Sequence, residues 1–118
     1  MDEITVRKFL EDFKTKMKIW DIVFMDNRAK NTQALLELEI TPALRKKIIN
    51  DLTLEDYSEG PVPDQQFMGN DLWVFGKDVK QQEVYIKITL GYAGKGVICI
   101  SFHAAEYPMK YPLKPERK

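Results

Sequence analysis

The chain has 118 residues, with 18 basic and 18 acidic side chains, one histidine, one cysteine and a formal net charge of zero. That length suits one domain with a single core, and a hydrophobic content of 44% argues against intrinsic disorder. One cysteine excludes an intramolecular disulfide, one histidine and one cysteine cannot close a zinc site (carboxylates could still bind Mg²⁺), and no apolar run approaches the roughly 20 residues of a membrane span. The N-terminal stretch MDEITVRKFLEDFKTK lacks the basic start and apolar block of a signal peptide, so the expectation is a cytoplasmic protein with no cofactor and no membrane partner. The charge is unevenly spread, +4 over residues 80–118 and −4 over residues 1–79. A basic surface on the C-terminal half is one reading of that split, and ordinary solvated faces are the other.

Residues 2–18 carry Ile4, Phe9, Leu10, Phe13 and Met17 at helical spacing, with Asp2 as N-cap. Ile19–Met25 is short, β-branched and aromatic and reads as a strand, the alternative being a buried continuation of the helix. Asp26 or Asn27 caps a second helix through Glu39, whose buried side holds Ala34, Leu35 and Leu38, with Leu36 beside them. Thr41 followed by Pro42 gives an N-cap and a first-turn proline, opening a third helix to about Asp51 with Leu44, Ile48 and Ile49 inward. A short turn begins at Thr53, and Gly60-Pro61-Val62-Pro63 breaks the chain.

Beyond that break the apolar period changes from helical to two. Leu72–Phe75 reads as a strand. Val84, Ile86, Ile88 and Leu90 alternate with Tyr85, Lys87 and Thr89. After a glycine-rich turn, Ile98, Ile100 and Phe102 take one side of a returning strand, and Val97, Cys99, Ser101 and His103 the other. The expected fold class is therefore α+β, with N-terminal helices packed on one face of a C-terminal antiparallel β-meander. One domain covers residues 1–118, and residues 104–118 form an extended tail because Tyr107-Pro108 and Tyr111-Pro112 prevent regular helix.

The hairpin carries a sharper inference. Directly opposed residues of an antiparallel pair have numbers of constant sum, and that sum is even if the even-numbered apolar faces share the core. Pairing Ile88 with Ile98 sets Tyr85 opposite Ser101, whereas pairing Ile88 with Ile100 sets Tyr85 opposite His103. In both registers Tyr85, Lys87, Ser101 and His103 share the face turned away from the core. Metal-free RNA cleavage needs a base for the 2′-hydroxyl, a cation beside the phosphate and an acid for the leaving 5′-oxygen. Histidine, lysine and tyrosine can supply those groups. The competing reading is that His103 merely ends a strand while Tyr85 and Lys87 decorate a solvated face. Trp73 and Phe75 read as packing residues or as a platform for a base, and Cys99 as an inert strand thiol. The glycine-rich loop reads as a plain turn. The tail around Lys110 and Tyr111 is either a packed terminus or a basic-aromatic rim.

Taken in order, Leu52-Thr-Leu-Glu-Asp-Tyr57, Gly60-Pro61, Leu72-Trp73, Val84-Tyr-Ile-Lys-Ile-Thr89 and Ile98-Cys-Ile-Ser-Phe-His103 resemble the MqsR-type toxins of bacterial toxin–antitoxin systems. The resemblance is to a branch ending in a Ser-Phe-His…Tyr-Pro-x-Lys-Tyr-Pro segment; it runs from about Thr32 to Lys114 and is most specific over residues 84–114. It implies a RelE-like fold and a metal-independent endoribonuclease, an mRNA interferase, neutralised by a cognate antitoxin that carries a helix-turn-helix domain. It also implies that Tyr85 is the active-site tyrosine of the Val-Tyr-x-Lys strand and Lys87 its lysine. His103 stands where the family has a lysine after Ser-Phe, Val74 where well-known members have a glutamine, and Ser58–Glu59 near the place of a further lysine. The expected catalytic set is His103, Tyr85 and Lys87, with Lys77, Ser101, Lys110 and Tyr111 as RNA-binding side chains. A non-catalytic antitoxin-binding or interaction module on the same fold is the alternative.

Overall fold

The computed structural model describes residues 2–26, 29–63 and 71–115. In chain order it forms α1 (Glu3–Trp20), β1 (Ile22–Phe24), α2 (Ala29–Glu37), α3 (Pro42–Asn50), a single 3-10 turn (Leu54–Asp56), β2 (Tyr57–Pro63), β3 (Asp71–Val79), β4 (Gln82–Thr89) and β5 (Val97–Ala104). The class is α+β as expected, but the sheet is mixed rather than a pure antiparallel meander. Its order is β1-β5-β4-β3-β2. Strands β2 to β5 form the meander, and β1 adds to β5 in parallel, with Ile22, Val23 and Phe24 opposite Val97, Ile98 and Cys99. A parallel neighbour needs a long crossover, and here everything from α2 to the β4–β5 turn supplies it.

The helices start where their capping chemistry places them. The Asp2 carboxylate accepts the Thr5 N–H at 2.8 Å, satisfying one of the unpaired donors of the first turn. Val6, Phe9, Leu10, Phe13 and Met17 line the buried stripe of α1. Ile4, expected on that stripe, lies on the opposite side of the helix and is 76% exposed. The helix also runs further than the sequence suggests, to Trp20, so the expected strand over Ile19–Met25 shrinks to three residues. At Asp21 the chain turns with φ 68°, and its N–H closes back on the Met17 carbonyl at 2.8 Å. Helix α2 stops at Glu37 rather than Glu39, and Leu36 faces solvent. Of its two candidate caps, Asn27 lies outside the described residues. Asp26 is engaged elsewhere, by Arg45. In α3 the Thr41 hydroxyl accepts the Leu44 N–H at 3.1 Å, and Pro42 occupies the first turn as read from the sequence.

Two strand expectations need correction. Gly60-Pro61-Val62-Pro63 does not break the chain; it is the second half of β2, an edge strand whose pairing with β3 is irregular on both sides of Glu59. An edge position with bulges tolerates residues that cannot donate to a ladder. The β4–β5 pair combines both kinds of register. Tyr85 is opposite His103 and Lys87 opposite Ser101, but Ile88 then pairs with Cys99 and Thr89 with Ile98. Ile100 is the extra residue of a β-bulge, and it shifts the alternation by one. Val97 and Cys99, expected on the outer face, therefore join Phe102 in the helix-side core.

That core decides the role of the aromatic residues on β3. Phe9 of α1 stacks on Trp73 with ring centroids 4.4 Å apart, and Phe75 has no exposed surface. Both β3 rings are packing residues, each contributing roughly 1.5–3 kcal/mol by burial. Two of the buried polar side chains, Arg45 and Asn31, lie at the β1–β5 side of the sheet. The Arg45 guanidinium lies 3.6 Å over the Phe24 ring and bonds both Asp26 carboxylate oxygens, at 2.8 and 3.0 Å. Asn31 of α2 is 2% exposed and serves β5, as described below.

Candidate functional site

The face of the sheet turned away from α1 carries an open cavity of about 570 Å³. Its floor is built by alternate residues of three neighbouring strands: Val74 of β3, Tyr85 and Lys87 of β4, and Ser101 and His103 of β5. The wall on one side is the C-terminal segment from Glu106 to Lys110, and the other side is Ser58 and Glu59 of β2. The volume falls within the roughly 300–1,000 Å³ typical of ligand clefts.

Direct opposition of Tyr85 and His103 brings their rings into a stack, with centroids 5.3 Å apart and planes inclined by 15°. The Lys87 ammonium lies 5.8 Å from the Tyr85 ring centre, so the cation, the phenol and the imidazole form one cluster. The Nδ1 of His103 lies 2.9 Å from the Ala104 carbonyl oxygen. A carbonyl can only accept, so Nδ1 donates, and in the neutral tautomer that makes this bond Nε2 is the nitrogen with the lone pair.

The part of β5 that carries this cluster is held by an asparagine. Strand β1 ends at Phe24, so β5 beyond Cys99 has no strand on that side apart from the Met25 N–H reaching the Cys99 carbonyl at 3.1 Å. The Asn31 side chain takes over the missing ladder. Its amide donates to the carbonyls of Ile100 at 2.8 Å and Met25 at 2.9 Å, and its oxygen accepts the Phe102 N–H at 3.0 Å. The bonds to Ile100 and Phe102 bracket Ser101 and fix the bulge that turns His103 toward the cavity.

The tail wall has its own anchor. Glu83 accepts the Met109 N–H at 3.0 Å and the Tyr111 hydroxyl at 2.6 Å. Burial and the neighbouring Glu83 carboxylate both push the Tyr111 hydroxyl well above the ordinary phenol range. The tail can lie this close because position 76 is a glycine: a Cβ there would come within 2.3 Å of the Tyr111 hydroxyl. Glu106 is ion-paired with Lys30 of α2, and the hydrogen bond from Lys30 holds its carboxyl below the usual range.

Five of the seven residues singled out from the sequence thus meet at one cavity: Tyr85, Lys87, Ser101, His103 and Lys110. Two do not. Lys77 points to the Asp56 carboxylate at 3.1 Å, and Tyr111 is held by Glu83; both border a separate small cavity beside the 3-10 turn. Sequence reasoning also passed over Asn31, although residues 31, 34, 35 and 38 share one helical stripe, and an amide on an otherwise apolar stripe marks a buried polar contact. Arg45, one residue from Leu44 on the inward side of α3, carried the same kind of signal. Cys99 is fully buried, and burial pushes its thiol up to about 12, as an inert strand thiol requires. No family model, curated protein or solved structure matches this chain.

Proposed function

We propose that this protein is a metal-independent endoribonuclease of RelE-like architecture, the toxin of a toxin–antitoxin pair. The observation that carries the reading is the stacked Tyr85–His103 pair beside Lys87 on the floor of an open cavity. In the reaction, His103 Nε2 takes the proton of a ribose 2′-hydroxyl, and the 2′-oxygen attacks the adjacent phosphorus. Lys87 stands by the charge that builds on the non-bridging oxygens. The bond from phosphorus to the 5′-oxygen breaks, and the Tyr85 hydroxyl gives that oxygen its proton. The products are a 2′,3′-cyclic phosphate and a 5′-hydroxyl, and DNA is not a substrate because it lacks the internal nucleophile. Lys110 and the ring of Tyr107, on the tail wall, supply a phosphate contact and a stacking surface for the strand. The resemblance to MqsR-type toxins adds support, since the positions it picks out (Ser58–Glu59, Val74, Tyr85, Lys87 and His103) all border this cavity.

The test is cleavage of an end-labelled RNA by the purified protein in EDTA. His103→Ala is expected to lower the rate by roughly 10²–10⁴-fold, the usual loss for a general acid–base group, without changing the melt. A requirement for added Mg²⁺, or full activity in His103→Ala, removes the mechanism. A second reading, a non-catalytic interaction module that keeps the fold and binds the antitoxin, draws on Val74 and Glu59. They put an apolar group on the cavity floor and a carboxylate on its wall where the resembled family has polar and cationic side chains. A folded wild type that neither cuts RNA nor arrests growth on induction supports that second reading.

A further inference from the structure

The helix layer, on the other side of the sheet from the Tyr85–His103 cavity, contains a second concave surface. A groove of about 910 Å³ runs between α1 and α3. One wall is the stripe Lys14, Lys18 and Asp21 at the end of α1, and the other is Ala43, Lys46, Lys47 and Asn50 along α3. Four ammonium groups are thus set against two carboxylates, Asp21, bonded to Lys46 at 2.6 Å, and Asp51 beside the groove. Lys47 is bonded to Asp51 at 2.5 Å. Lys14 and Lys18 make no salt bridge among the described residues, although Lys14 is one of the cations that hold the Asp51 carboxyl below its usual range. In a chain with no net charge, this is a local excess of positive charge rather than a general one. Apolar surface lies with it: Met17 forms part of the floor, and Ile19 borders the groove with 66% of its surface exposed.

We infer that this groove docks an acidic amphipathic segment of a partner protein, with carboxylates on Lys14 and Lys18 and an apolar side chain on Ile19. Charge complementarity selects the occupant, and a gap lined by two helices suits an amphipathic segment. The lining offers no aromatic ring for a base to stack on, so the groove fits a protein better than a nucleic acid. The inference stands whether or not the cavity cuts RNA, because no residue is shared between them.

The experiment titrates the full chain with a synthetic helical peptide that carries glutamates on one face and leucines on the other. Two controls are used, the same peptide with lysine for glutamate and a short single-stranded oligoribonucleotide. Binding is read by amide chemical-shift mapping and by tryptophan emission, since Trp20 beside Ile19 is 52% exposed whereas Trp73 is buried. The glutamate peptide is expected to shift residues 14–21 and 43–50 and to bind about tenfold more weakly to K14E/K18E or at high ionic strength. RNA cleavage by K14E/K18E is expected to match wild type. If K14E/K18E melts early, K14Q/K18Q carries the same comparison. Equal binding of the lysine peptide, shifts centred elsewhere, or no loss in either charge variant overturns the inference. So does an oligoribonucleotide that occupies these lysines in preference to the peptide.

Discussion

Asn31 and Phe102 are 71 residues apart in the chain, yet the side-chain oxygen of the first accepts the backbone N–H of the second at 3.0 Å. With the donor bonds to Ile100 and Met25, one carboxamide does the work of a strand neighbour at the point where β1 stops. Asn31→Ala leaves those buried backbone groups without partners and is expected to cost about 3 kcal/mol, given the usual penalty for orphaned buried groups. The side-chain resonances of His103 should move in the same variant, because its strand has lost its edge. Denaturant melts and a histidine-detected spectrum check both halves. A loss of stability with His103 unmoved would make Asn31 a packing residue only.

The tail wall depends on a missing side chain at Gly76. In Gly76→Ala the new methyl group meets the Tyr111 hydroxyl at 2.3 Å and the Met109 sulfur at 2.8 Å. Both are ends of movable side chains, so the tail should lift while the sheet holds. The expected outcome is faster proteolysis at Lys110 and a melt close to wild type, with weaker RNA binding if the proposed function holds. Glu83→Gln, which weakens the grip on Tyr111 and Met109, should act in the same direction.

The Asp26–Arg45 pair gives the molecule an acid-sensitive joint. The hydrogen bonds from Arg45 hold the Asp26 carboxyl below its ordinary 3.8. A carboxyl lowered in the folded state contributes stability that is complete above its unfolded value and is lost as pH falls through the folded one. Stability should therefore decline below about pH 4, and Asp26→Asn should flatten that decline. The same variant should be less stable at neutral pH, since it leaves the 3%-exposed Arg45 charge without its partner. Urea midpoints across the acid range measure both effects. An unchanged acid limb in Asp26→Asn would assign the decline to other carboxylates.

Cys99 serves as an internal reporter of unfolding. Its thiol is 1% exposed and pushed up to about 12 by burial, so an aromatic disulfide reagent at roughly pH 8 should leave it untouched in the folded protein. Reactivity should appear in step with guanidinium unfolding. Rapid labelling under native conditions would mean that β5 opens locally, next to the site.

What could be read from the sequence followed the strength of local signals. Asp2, Thr41 and Pro42 mark helix starts by chemistry that acts within one turn, and α1 and α3 begin there. The strict alternation over residues 84–90 located β4 and put Tyr85 and Lys87 on the outer face, and that half of the site needed no tertiary information. Other features were set at a distance. β1 is a strand only because β5 lies beside it, and the place of Val97 and Cys99 is set by a bulge that alternation cannot reveal. Lys77 is expected from the sequence among the RNA-binding side chains, and only the fold brings Asp56 to it.

The bulge at Ile100 has a consequence for how β5 tolerates change in length. Without Ile100, the remaining order of β5 alternates without interruption: Val97 in, Ile98 out, Cys99 in, Ser101 out, Phe102 in, His103 out. Deleting a single residue from a strand normally turns every later side chain to the wrong face. Here one deletion restores regular alternation and keeps both the core residues and the Ser101–His103 pair on their present sides. Ile100 is thus a spacer, and β5 is a strand that holds one residue more than its pattern needs. Removing Cys99 instead gives the same regular order with Ile100 taking the inner place, so single deletions at either position should leave a foldable protein with His103 still facing the cavity.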